Sequence, residues 1–385
     1  MVTIPQDIIH LILDQIDQTS LNACAIASRQ FLPLCRARVF KLISIHNIPP
    51  PEKSISVNLC RNLRQIFTET PCLVDYVRIL ELRFDGALAV DPDLCWILGQ
   101  LKSLTGLVLM SSTPYTKWES LGSSVQISLV ECLRLPTLNS LSIEYHKGIP
   151  ISILDGATNL THLKFWSVTW SASFSAPSNS PQIFVRPTHL QIAGCYDSTP
   201  YRFLYDFLTP PGPFSFEVLA ELDVQVTNAN KAQLIKVTEV CHSALRKLKL
   251  RLEDELSFDL SSLTSLESLW VKAELHQFSN EKEVTYNNFR AMIETLITSN
   301  STTLRMIDIY FSLNMDDFAQ YPWGDLDDAI YRIAKRSTPL RLELQQAELF
   351  ASRQDDRFQF VRDQLPKLTC EGSIVIRTSM WNGRL

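Results

Sequence analysis

The sequence predicts an α/β repeat architecture behind a short, all-helical N-terminal segment. Three observations carry that expectation. Roughly the first forty residues are apolar at helical spacing. A stretch at 47–56 holds three consecutive prolines and has no periodicity. From Val77 onward the pattern L-x-x-L-x-L, with loose apolar substitutes, returns about every twenty to forty residues.

The N-terminal segment divides into three short helices. Pro5 occupies a first-turn position, where a missing N–H costs nothing, and Asp7 follows where the helix dipole favours an anion. Ile8, Ile9, Ile12, Leu13 and Ile16 then form a stripe too wide for one small packing partner. Thr19 or Ser20 caps a second helix carrying Leu21, Cys24, Ala25 and Ser28, and Pro33 opens a third carrying Leu34, Ala37, Arg38 and Val39. Three such helices bury too little surface to stand alone, so either the rest of the chain or another protein covers them.

The residues that carry a resemblance are Ile4-Pro5-x-x-Ile8-Ile9-x-x-Ile12-Leu13-x-x-Ile16 and the run from Ala23 through Ser28-Arg29, Phe31 and Pro33 to Phe40. Residues 1–45 resemble an F-box of the form common in fungal proteins. They depart from it at Ile4, where Leu is usual, and at Phe31, where Trp is typical. The resemblance implies binding to the Skp-type adaptor of a Skp–cullin–F-box (SCF) ubiquitin ligase, and through it to a cullin. Ile4, Pro5, Ile8, Ile9, Ile12, Leu13 and Phe31 are the implied adaptor-binding residues. The division of these side chains between the adaptor face and the module's own core stays open in the sequence.

The prolines at 47–56 mark a semi-rigid spacer. The organisation expected is therefore an F-box at 1–45, a Pro-rich linker at 46–56 and a repeat domain at 57–385. The middle residues of the repeated pattern are Leu80, Leu107, Leu141, Leu163, Leu190, Leu222, Leu248, Leu269, Ile307 and Leu342, with a weak last copy at 374–376, about eleven strand copies. Helix-like segments fall between them at 56–69, 123–133, 201–208, 231–241, 286–298, 325–335 and 352–365. Strand then helix at this period is the leucine-rich-repeat signature, in which stacked units share one core. The Asn that usually follows the strand is missing from most copies, as in the degenerate repeats behind many F-boxes. The predicted fold is a three-helix F-box followed by an α/β leucine-rich-repeat solenoid, a horseshoe; the alternative is a compact two-layer α/β domain. Loops at 171–181, 209–216 and 312–324 are expected to lie outside the regular pattern.

Composition and motifs narrow the function. A net charge of -5 argues against a duplex-binding surface, so no nucleic acid is expected. No apolar run approaches the roughly 18 residues of a membrane span. Asp7, Asp14 and Asp17 interrupt the apolar N-terminus, so a secretory signal is not expected. The nine Cys lack a C-x-x-C pair and read as reduced thiols of an intracellular protein of the cytoplasm or nucleus. In that setting, the glycosylation-type sequences at Asn159 and Asn300 are chance matches. Hydrolase, zinc-protease, phosphate-loop and dinucleotide motifs are missing. Neighbours on a helix do not face each other, so Cys241-His242 is a poor chemical pair. Asp316-Asp317 and Asp327-Asp328 read as solvated charges. The expectation is a non-enzyme with no cofactor and no metal.

In each L-x-L the middle residue projects away from the leucine core. That phase supplies the candidate substrate-binding residues Arg83, Lys164, Trp166, Lys249, Arg251, Trp270, Lys272 and Tyr310. Trp, Tyr and Arg anchor interfaces, and the basic residues on neighbouring copies suit an acidic partner segment. Strand packing or a covering loop is the plainer account of the aromatics. The function expected is a non-catalytic substrate receptor for ubiquitin-dependent degradation, holding an unknown protein on its concave face. The alternative is a stand-alone repeat interaction scaffold whose N-terminal helices only cap it. A small-ligand receptor is a lesser third possibility.

Overall fold

The computed structural model describes residues 6–46, 59–112, 116–171, 185–194, 214–227, 230–252, 258–274, 282–298, 303–312, 323–335, 341–347, 363–367 and 374–379. For Tyr310 and the strands at 341–347 and 374–379, the backbone alone is described. The chain forms two compact units, Met1–Val185 and Arg186–Leu385.

The first unit opens with α1 (Gln6–Gln15), α2 (Gln18–Ala27) and α3 (Leu32–Val39). Asp17, two residues ahead of Thr19 and three ahead of Ser20, the expected caps, caps α2 by accepting from the Ser20 amide at 3.0 Å. The helices close on Leu13, Leu21 and Cys35, with Ile9, Ile16, Phe31 and Leu34 packed around them. Arg38 ties α3 to α1, donating to Asp14 Oδ1 at 2.7 Å and to the His10 carbonyl at 2.9 Å. Strand β1 (Leu42–His46) follows, then α4 (Leu59–Glu69), β2 (Ile79–Phe84), α5 (Pro92–Gln100), β3 (Gly106–Ser111), α6 (Ser123–Leu133), β4 (Ser140–Glu144) and β5 (His162–Trp166). These five strands pair in parallel, in chain order. The register sets Leu80 beside Leu107, Leu107 beside Leu141 and Leu141 beside Leu163, and all four are buried.

The second unit holds β6 (His189–Ala193), β7 (Glu221–Val226), α7 (Lys231–Cys241), β8 (Lys247–Leu252), β9 (Ser268–Glu274), α8 (Lys282–Thr298), β10 (Met306–Ser312), α9 (Trp323–Ala334), β11 (Arg341–Ala347) and β12 (Ile374–Ser379). Its strands are again parallel and in chain order. Leu222, Leu248, Leu269 and Ile307 share one register row and are buried. A polar clasp closes the strand ends. The Gly194 amide donates to Gln225 Oε1 at 2.6 Å, and Asn230 Nδ2 donates to the Gln225 carbonyl at 2.8 Å. Gly194 has φ +76°, a left-handed backbone that glycine adopts without a Cβ clash.

The expected architecture is corrected in class. The chain is α/β, with parallel sheets and flanking helices; it is not a helical F-box followed by a leucine-rich-repeat solenoid or horseshoe. The alternative expectation, a compact two-layer α/β domain, agrees with this fold in class only. The physical reason lies at residues 41–46. Ile43 and Ile45 alternate with Leu42, Ser44 and His46, so this stretch becomes a strand, although it lacks the L-x-x-L spacing. Leu42–His46 pairs with Ile79–Arg83, and the Lys41 carbonyl accepts from the Arg78 and Ile79 amides. The helices therefore run directly into the sheet of their own unit.

Apart from His46, the linker expected at 46–56 lies outside the described residues, as do the helix expected at 201–208, most of the helix expected at 352–365 and most of the loops at 171–181, 209–216 and 312–324. Helix α5 was not expected from the sequence. Its signal is Asp91, which accepts from the Asp93 amide at 2.8 Å, followed by Pro92 in the first turn.

The leucine rows give a direct test. Leu107→Ala in the first unit and Leu248→Ala in the second each leave a cavity and are expected to cost about 2–5 kcal/mol. Urea unfolding measures this. A loss below about 1 kcal/mol in either variant would show that its row is not close-packed.

Candidate functional site

Helix α1 is apolar on two sides. Leu13 is buried, and Ile9 and Phe31 pack against the same cluster, so these three belong to the helices' own core. Ile8 and Ile12 are 47% and 52% exposed. Leu11 at 65% and Ile26 at 88% join them as open apolar side chains, and neither was picked out in the sequence. Ile4 and Pro5 lie outside the described residues.

The second candidate surface is the strand phase opposite the leucines. In the first unit its upper row runs His46, Arg83, Met110, Glu144, Trp166 across the register. Arg83 is exposed and makes no ion pair among the described residues. Lys164 donates to Glu144 Oε1 at 2.7 Å, Ser142 donates to the same oxygen at 3.1 Å, and the Lys164 ammonium sits 5.9 Å from the Trp166 ring centroid. Lys164 and Trp166 thus form one local cluster around a carboxylate.

In the second unit a row runs Gln191, Asp223, Lys249, Trp270, Asp308. The next row on the same face sets Gln225 beside Arg251, Lys272 and Tyr310. Arg251 donates to Asp223 Oδ2 at 3.0 Å, and Lys247 donates to Glu221 Oε1 at 2.5 Å. Burial pulls the Glu221 carboxyl upward, but its bonds to Lys247 and His189 hold it below the usual range. Lys249 is exposed, while Trp270 and Lys272 are half-buried. The register thus brings Lys249, Arg251, Trp270 and Lys272 together, with Arg251 already engaged. The Tyr310 side chain lies outside the described residues.

The carboxylates that engage these cations, Glu144, Glu221 and Asp223, were not assigned that role from the sequence. Their signal was available. Aligning neighbouring copies of L-x-L puts Glu144 beside the Lys164 strand and Asp223 beside the Arg251 strand.

The groups with chemical potential are dispersed. Burial pushes the thiols of Cys60, Cys132 and Cys241 up to about 12, which leaves them protonated and inert. Cys241 is buried, whereas His242 is exposed and donates from Nδ1 to the Glu239 carbonyl at 2.8 Å. Asp327 is buried and accepts from the Lys367 amide at 2.9 Å, and Asp328 pairs with the Lys367 ammonium. Among the described residues no three His, Cys, Asp or Glu side chains gather as a metal site. Among the described strands of each unit the order never reverses, unlike the open α/β sheets that hold nucleotides at a switch point. An open cleft of about 480 Å³ lies against α6, between Trp118, Ile127, Arg134 and Asp155. No described helix is long and apolar enough to cross a membrane.

No protein-family model matches the chain, and no curated protein matches it.

One buried titratable group gives a pH prediction. His146 is fully buried and packs edge-on to Phe84, with ring centroids 5.9 Å apart. The Glu144 carbonyl 2.7 Å from Nδ1 can only accept, so Nδ1 carries the proton. Burial lowers its pKa from 6.5 to about 4. Below pH 6.5 the unfolded chain therefore takes up a proton that the folded chain refuses until about pH 4. Stability falls as pH drops through that window, by about 3 kcal/mol in all, and His146 contributes no slope above it. Unfolding measured from pH 7 to 4 is expected to show this loss in the wild type. It is expected to be largely missing in His146→Asn, whose amide can still donate to the Glu144 carbonyl. Parallel curves would show that the proton binds elsewhere.

Proposed function

We propose that the chain is a non-catalytic protein-interaction scaffold, with its N-terminal helices capping the first strand of their unit. The observation that carries this reading is the composition of the strand phase opposite the leucines. Trp166 and Trp270 stand there half-exposed beside lysines, in the pattern of interface anchors. The capping role is supported by the direct join of α3 to β1 and by the Lys41 contacts to the start of β2. Affinity purification of the wild type beside Trp166→Ala/Trp270→Ala tests it. A protein held by the wild type and lost from the folded double variant is the expected outcome. Identical retained proteins would remove these faces from the reading.

A second reading is favoured by the exposure of Ile8, Leu11, Ile12 and Ile26. Here the helices dock a Skp-type adaptor and through it a cullin, and the rest of the chain is an intracellular substrate receptor for ubiquitin-dependent degradation. An open apolar set on a helix pair is a ready surface for a partner. Ile8→Asp/Ile12→Asp is expected to abolish complex formation with a purified Skp-type adaptor on size-exclusion chromatography. Its unfolding midpoint should stay close to that of the wild type, because both side chains are already exposed. Failure of the wild type to bind the adaptor leaves the capping scaffold as the sole reading.

A further inference from the structure

Strand β8 carries three cations on its outward phase, Lys247, Lys249 and Arg251, an arrangement that concentrates positive charge along one strand. Strand β7 answers with two carboxylates, Glu221 and Asp223. By register, Glu221 lies beside Lys247 and Asp223 beside Lys249. The bonds are distributed differently. Glu221 takes Lys247, while Asp223 reaches diagonally to Arg251 at 3.0 Å. Lys249 stays exposed between two engaged pairs, with no ion pair among the described residues. On its other side, in register on β9, stands Trp270, half-buried.

This juxtaposition has a preferred sign. A carboxylate arriving at Lys249 meets an ammonium whose nearest acid is already engaged, next to an indole that excludes water on one side. Partial desolvation strengthens that attraction. A basic group arriving at the same place meets the Lys249 ammonium, which neither of the two neighbouring ion pairs neutralises. The acids Glu221, Asp223 and Asp308 nearby make the patch a poor seat for a polyphosphate.

We propose that the outward face of β7, β8 and β9 takes a protein segment presenting an acidic side chain to Lys249 and a neighbouring apolar side chain to Trp270. This rests on the scaffold reading and gives its partner a chemistry.

The test uses the full chain and fluorescence anisotropy. One probe is a labelled eight-residue peptide of alternating Glu and Leu; the other alternates Lys and Leu. The Glu–Leu peptide is expected to bind about tenfold tighter or better, and to weaken as salt is added. Lys249→Glu should lower its affinity about tenfold. Lys236→Glu, exposed on α7 and equal in charge change, should leave it unaltered. Trp270→Ala should weaken binding with little effect on the urea midpoint. Equal affinity for the two peptides, or an unchanged Lys249→Glu, overturns the acidic preference; if Trp270→Ala still weakens both peptides, the scaffold reading survives that result. Binding of neither peptide overturns the proposal outright, and the scaffold reading then stands or falls on the Trp166→Ala/Trp270→Ala purification.

Discussion

The structure depends on one constraint, the in-register burial of apolar side chains along parallel strands. Leu80, Leu107, Leu141 and Leu163 form such a row in the first unit, and Leu222, Leu248, Leu269 and Ile307 form one in the second. A slip of one residue would turn each row to the solvent side, so the leucines fix the pairing. The same constraint sets the opposite phase. Once Leu248 and Leu250 are inward, Lys247, Lys249 and Arg251 have to face outward together. The outward faces are therefore a by-product of core packing, and their composition can vary while the core stays fixed.

Electrostatics then sorts that outward phase. Carboxylates on neighbouring strands engage Lys164, Lys247 and Arg251. Such part-exposed pairs contribute only about 0–1 kcal/mol each to stability. Their larger effect is selective, because they decide which cations remain available. Arg83 and Lys249 are exposed and outside the described pairs.

Much of the strand layout could be read from the sequence, because each copy writes its own leucines. The candidate face followed from the same periodicity. Three features did not. Strand β1 has no L-x-x-L, so Leu42–Ile45 was counted with the F-box at 1–45 and His46 with the linker. The class of the architecture was misjudged with it, since this strand is what joins the helices to the sheet. The ion pairs were missed because they link residues about 20 to 30 apart, which become neighbours only after the strands are aligned. On α1 the wide apolar stripe was legible, but the sequence could not divide it. The fold places Ile9 and Leu13 inward and leaves Ile8, Leu11 and Ile12 outside.

The strictly sequential strand order also bears on how the protein is made. Within each unit the strands β1–β5 and β6–β12 pair only with the preceding and following strand of that series. Each closure in these series spans only the interval to the next strand, which limits its entropy cost. As the ribosome releases the chain, each new strand finds its template already in place. Each new strand covers the edge left by the one before it, so the number of open edges does not grow as the sheet lengthens. Assembly in chain order therefore lets the early strands of each unit pair before the later ones emerge.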